Sequence, residues 1–150
     1  MEKAIDGTET RDLQRIFLLD TTTCVALIRD QPLLARARAE EAIVRGEMLL
    51  VSSIVLHELW YGAAKSKRVD ENTAKLGSFL SGYAETCAFD ETDARRAGEI
   101  RAALEQKGET IAAYDTLIAG QCLSRNFTLV TGNVSEFRRV KGLRLEDWMK

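Results

Sequence analysis

Three short apolar runs punctuate the chain: Ile16-Phe17-Leu18-Leu19, Met48-Leu49-Leu50-Val51 and Phe127-Thr128-Leu129-Val130. None alternates with polar residues, so each reads as a strand covered on both faces, the pattern of a parallel sheet. Thr86–Phe89 and Leu143–Leu145 are weaker strand candidates. Helical spacing fills the gaps. Leu33–Val44 is rich in Ala, Leu and Arg and stops before Gly46, a residue suited to a C-terminal cap. Ser53–Ala64 opens on a capping serine, and Asp70–Leu80 is a further candidate. Glu91–Lys107 is the clearest helix. Asp90 caps it, Gly108 ends it, and Ala94, Ala97, Ile100 and Leu104 line one face. Glu91/Arg95 and Arg101/Glu105 stand four apart on its wet side. Ile111–Ser124 is the last long helix.

Strands alternating with helices predict an α/β fold, a three-layer α/β/α sandwich around a mostly parallel sheet. A chain of 150 residues suits one domain, expected over 15–150, behind a flexible leader, residues 1–14, with no periodicity. Ligands of such sheets bind beyond the carboxyl ends of the strands. Asp20 follows the first strand, Ser52-Ser53 and then Glu58 follow the second, and Thr131-Gly132-Asn133 follows the late one. All three segments are expected at one end of the sheet.

Composition narrows the classes. An apolar share of 45% and a charged share of 29% are ordinary for a globular protein. A net charge of −2 argues against whole-surface binding of nucleic acid, so any such contact needs a local patch. No stretch is apolar enough to span a membrane, and the polar, acidic start does not read as a secretory signal. Cys24, Cys87 and Cys122 lack metal-ligand spacing and sit among apolar residues, which predicts buried reduced thiols and a cytoplasmic protein.

The acids carry the chemistry. Singly they are ordinary: an Asp after a strand is usually a turn or cap residue, and Asp115 suits the N-terminus of the last helix. Glu58 is harder to dismiss, because Leu56, Leu59, Trp60 and Ala63 surround it and a buried unpaired charge is costly. If Asp20, Glu58 and Asp115 converge, two unit charges 4 Å apart repel by roughly 4 kcal/mol at an effective dielectric of about 20. No Lys or Arg lies beside any of them in sequence. A bound cation relieves this, and all-oxygen ligands favour Mg²⁺ or Mn²⁺ over Zn²⁺.

The segments FLLDTTTCVALIRD, SSIVLHELWYGA, IAAYDTLIAGQCLSRNFTLVTGNVSEF and KGLRLEDW resemble, in order, the signature blocks of VapC-type PIN domains, the toxins of type II toxin–antitoxin pairs. They span Ile16 to Trp148. The resemblance implies a single PIN domain, a carboxylate-rich metal pocket and endonuclease activity on RNA, with tRNA or rRNA loops as targets. It assigns Asp20, Glu58 and Asp115 as catalytic, metal-holding acids. Its fourth polar position, often Asp, falls on Asn133, with Thr131 just before it and Thr21 or Thr22 near the first acid. An amide coordinates without adding charge, and Glu136 is the nearest replacement acid. A homodimer and a groove for a VapB-like antitoxin segment are also implied, with Leu33, Leu34, Trp60 and Trp148 as apolar candidates or plain core.

The expected reaction is hydrolysis of a phosphodiester with one or two Mg²⁺ ions, leaving a 5′-phosphate and a 3′-hydroxyl. Thr22 and Asn133 would orient ligands or water. Lys65, Lys67 and Arg68, and Arg138, Arg139, Lys141 and Arg144, are basic clusters that either grip phosphates or form solvated faces. His57 begins a zinc-protease-like HE pair, but Tyr61 stands where the second histidine is needed. Two rivals remain: a non-catalytic PIN-like binding module, with Asn133 as its mark, and a phosphatase using Asp20 as nucleophile, which lacks a second acid because Thr22 stands there.

Overall fold

Leu18 lies in register with Leu50 on one side and Leu129 on the other, at the centre of a five-stranded parallel sheet. The computed structural model describes residues 15–150, so the expected leader, residues 1–14, lies outside the described residues. The strands are β1 (Ile16–Leu19), β2 (Met48–Ser52), β3 (Glu85–Cys87), β4 (Thr128–Val130) and β5 (Arg144–Glu146), in the order β3-β2-β1-β4-β5. The helices are α1 (Thr21–Arg29), α2 (Leu33–Val44), α3 (Ser53–Lys65), α4 (Val69–Gly82), α5 (Glu91–Lys107), α6 (Ala113–Arg125) and the single turn α7 (Val134–Phe137).

The chain builds outward from β1 to β3, then returns to place β4 on the other flank of β1. Right-handed crossovers therefore put the two sets of helices on opposite faces, giving the expected α/β/α layers. The order reverses between β1 and β4, and the crevice above that switch point is where such a sheet opens to a ligand. Asp20 and Thr131 are the residues directly beyond these two strands.

Several local expectations shift. α1 was not among the expected helices; Asp20 caps it, and Thr23, Cys24, Ala26 and Leu27 bury its inner face. Ser52, not Ser53, caps α3, accepting from Ile54 N at 3.0 Å. α6 begins at Ala113, so Ile111 precedes it. On α5 the buried stripe runs through Asp93, Ala97, Ile100 and Leu104, whereas Ala94 is exposed. Asp93 is tolerated inside because Arg125 of α6 donates to it at 2.8 Å and 3.2 Å. The Asp90 cap holds, as a capping box with Asp93. Of the two expected ion pairs on α5, Arg101–Glu105 forms at 3.1 Å, while Arg95 turns to Glu99 at 3.7 Å.

The core gathers Phe17, Leu18, Leu19, Val51, Val55, Ile118 and Leu129, all fully buried. Trp148 joins it, edge-on to Phe17 with centroids 5.2 Å apart, and so belongs to the core rather than to a surface groove. The three cysteines are buried and free. Among the described residues no helix is long and apolar enough to cross a membrane.

Candidate functional site

Asp20 leaves the sheet still bonded to it, its N–H donating to Val130 O at 2.9 Å. Its carboxylate then serves two neighbours. Oδ1 accepts from Thr21 N at 2.7 Å and Oδ2 from the Thr131 hydroxyl at 2.7 Å. The residue is only 4% exposed. Burial pushes its carboxyl up, the two hydrogen bonds pull it back, and the acids Glu58 and Glu136 push it up further.

The β4 loop is tied to the start of α1. Thr131 Oγ1 also accepts from Asn133 N at 3.0 Å, and Gly132 N donates to Thr22 Oγ1 at 2.9 Å. A Cβ on Gly132 would come within 2.4 Å of the Met149 methyl, so the Met149 side chain packs directly over the loop. The hydroxyl that meets an acid is that of Thr21, which donates to Glu58 Oε1 at 2.8 Å. Of the two threonines, Thr22 holds the loop and Thr21 holds the carboxylate. The adjacency of Thr21 to Asp20 was its only sequence signal.

Asp115 stands in the first turn of α6 and is within hydrogen-bond reach of Glu136 on α7. Asp115 is pushed up to about 8, by burial first, then by its bond to Glu136 and by the charges of Asp20, Glu136 and Glu58. Glu136 moves down, chiefly through that same bond, helped by the Ala112 N–H at 3.2 Å and the Asn133 amide, which donates to Oε1. The two carboxyls therefore shift in opposite directions, Asp115 up and Glu136 down. Asn133, expected to stand beside the acids as a ligand, reaches them through Glu136. The spacing of three between these two residues on a one-turn helix is the signal that links them.

Asp20, Glu58 and Asp115 therefore feel one another at the carboxyl end of the sheet, with Glu136 as a fourth acid. Among the described residues, no three His, Cys, Asp or Glu side chains are close enough as placed to hold an ion between them. The donor set still fits a hard divalent cation: it offers only oxygens, and the charged groups acting most on Asp20 and Asp115 are acids.

The surroundings sort the basic clusters. A cleft of about 380 Å³ runs from Thr21 and Glu58 between α1, α3 and α4; Val25, Ile28, Leu59 and Leu76 line it, and Arg29, Lys65 and Lys75 edge it. Arg139 lies near Glu136 and donates to Thr110 O at 2.8 Å. Arg144 is at the other end of the sheet, paired with Thr128 and donating to Asn126 O at 2.6 Å, so it leaves the expected cluster. Leu33, Leu34, Trp60, Tyr61 and Tyr114 are exposed.

Comparison with known proteins gives a consistent picture. The model of the PIN domain matches residues 17–143. A tRNA(fMet)-specific endonuclease VapC of Salmonella typhimurium is 40% identical over 132 residues, 88% of this chain and 97% of the relative. Ribonuclease VapC2 of Rickettsia felis is 42% identical over 140 residues, 90% of this chain and 99% of the relative. The crystal structure of VapBC2 from Rickettsia felis bound to a promoter DNA fragment superposes with a TM-score of 0.83 at 39% identity, covering 89% of this chain and 98% of that one.

Proposed function

Because the chain belongs to the PIN-domain family, among relatives named ribonuclease VapC, we propose that it is a divalent-metal-dependent endoribonuclease toxin restrained by a VapB-like antitoxin. The observation that carries the reading is the acid pocket over the β1–β4 switch point. Asp20, Glu58, Asp115 and Glu136 act on one another electrostatically there, and burial with these neighbouring charges raises the carboxyls of Asp20 and Asp115, which supports a site built for a cation.

In this reading Asp20, Glu58 and Asp115 hold the ion, Mg²⁺ or Mn²⁺. The ion supplies charge neutralisation at the phosphate and activation of water. Thr131 and Thr21 fix the carboxylates of Asp20 and Glu58, and Glu136, itself bonded by the Asn133 amide, meets Asp115. Thr22 keeps the loop after β4 against α1, which keeps Thr131 in place. The reaction is hydrolysis of an RNA phosphodiester to a 5′-phosphate and a 3′-hydroxyl, and the substrate is an exposed loop of a structured RNA such as tRNA or rRNA. Arg29, Lys65 and Lys75 give phosphates a cationic edge beside Glu58. The apolar lining of the same cleft suits an antitoxin segment, which would exclude RNA by occupying it. Exposed Trp60 and Tyr61 are candidate surface for pairing with a second copy.

The test uses the full chain with tRNA or rRNA and added Mg²⁺ or Mn²⁺. Cleavage abolished by EDTA and by Asp20→Ala, with 5′-phosphate ends at the cut, is the expected result. A 2′,3′-cyclic phosphate product, or full activity in EDTA, overturns the reading.

A further inference from the structure

His57 and Tyr114 join the two helices that carry separate acids. His57 lies on α3 directly before Glu58, and Tyr114 on α6 directly before Asp115. Tyr114 Oη is 3.2 Å from His57 Nε2, and the rings meet edge to face with centroids 5.5 Å apart and planes 74° from parallel. Among the described residues this is the side-chain hydrogen bond that bridges α3 and α6.

We propose that the His57–Tyr114 pair is a positioning strut that sets the spacing of Glu58 and Asp115 for a divalent ion. The inference rests on the metal-dependent reading above. Consecutive helical residues point roughly 100° apart, so the pair sits beside the acids on the same two helices. An ion held by both Glu58 and Asp115 needs α3 and α6 kept at one spacing. Glu58 is braced from α1 by Thr21 at 2.8 Å, and Asp115 from α7 by Glu136, but neither bond fixes one helix against the other. The two rings do, with few rotatable bonds to order. His57 and Tyr114 are both exposed, so their bond contributes little to global stability while still controlling local geometry. Neither residue touches substrate or ion; both act through the acids next to them. Partners one step removed from metal ligands commonly change metal affinity by about 10- to 100-fold.

The experiment measures Mn²⁺ binding by electron paramagnetic resonance, together with steady-state RNA cleavage and melting temperature. It uses the full-length wild type, Tyr114→Phe, His57→Ala, the double variant, and Asp20→Asn as control. Tyr114→Phe keeps the ring and removes the tie. Each single variant is expected to weaken Mn²⁺ binding roughly tenfold and lower kcat more than it raises KM, at an unchanged melting temperature. The double variant is expected to be no worse than either single one, because both remove the same bond. Unchanged Mn²⁺ binding in Tyr114→Phe, additive losses in the double variant, or a rise in KM alone overturns the strut; the last outcome points to base stacking on Tyr114. A wild type that binds no Mn²⁺ and matches Asp20→Asn removes the metal reading itself, and the strut with it.

Discussion

Thr131 donates its hydroxyl to Oδ2 of Asp20 at 2.7 Å across 111 positions of the chain. Strand pairing makes the bond possible, since Leu19 and Val130, the residues just before them, lie in register. Thr131 is fully buried, and its oxygen also accepts Asn133 N–H at 3.0 Å. Thr131→Val keeps the shape and leaves both partners short of a bond. The expected outcome is a loss of about 1–3 kcal/mol in urea unfolding together with most RNA cleavage. Thr131→Ser is expected to retain most of both. A valine variant with wild-type stability and activity would count against this role.

Asp115 gives a ligand-linked prediction. Mg²⁺ or Mn²⁺ that binds only the folded chain stabilises it by roughly 2.7 kcal/mol at a hundred times its Kd. The melting temperature is therefore expected to climb with ion concentration. Asp115→Asn puts a neutral amide where the wild-type carboxyl is pushed up to about 8 and so is mostly uncharged at pH 7, and its metal-free form should be about as stable as the wild type. It should gain little on ion addition and cleave no RNA. Scanning calorimetry with and without EDTA checks this. An Asn variant stabilised by the ion as strongly as the wild type removes Asp115 from the ligand set.

Two glycines on facing or neighbouring turns should respond oppositely to alanine. A Cβ on Gly120 of α6 would lie 2.7 Å from the Ala97 backbone on α5, so the helices touch there through main chain. Gly120→Ala is expected to cost about 1–3 kcal/mol through overpacking, despite the better helix propensity of alanine. Gly98 on α5 has nothing within 4 Å of a built Cβ, and Gly98→Ala should stabilise by about 0.5–1 kcal/mol. Urea midpoints decide both, and equal responses would contradict the packing account.

The sheet was legible in the sequence because β1, β2 and β4 are uninterrupted apolar runs, a signal that needs no long-range knowledge. Asp20 drew attention by its place at the end of the first run, Glu58 by its apolar neighbours, and Asp115 by its place at the start of a helix. α1 was not legible, because Thr21, Thr22 and Thr23 are poor helix formers, and tertiary contacts override that local preference. Thr23 is buried and donates its hydroxyl to Val130 O at 2.9 Å, a partner 107 positions away. Thr21 holding Glu58, and Asp115 meeting Glu136, were hidden for the same reason. Each depends on which helices face each other, which periodicity does not report. Arg144 shows the converse error, since a run of basic residues close in sequence spans two ends of one strand layer.

Asp93 makes the stability of the fold sensitive to acid. It is fully buried on α5 and accepts from Arg125 Nη2 at 2.8 Å, from Asp90 N at 2.9 Å and from the Ser124 hydroxyl. Burial alone would raise its carboxyl, but the bonds from Arg125, Ser124 and Asp90 outweigh that and hold it below the usual range. The unfolded chain then takes up this proton at a higher pH than the folded one. Its contribution is present above the ordinary carboxylate value, about 3.9, and is lost as the pH falls through the lower folded value. Unfolding free energy of the wild type is therefore expected to drop as the pH is taken below about 4. Asp93→Asn should be less stable at pH 7, because Arg125 loses its charged partner, yet show a shallower decline on acidification. Urea unfolding of both forms at neutral and acidic pH measures the two slopes, and parallel slopes would assign the acid sensitivity to other groups.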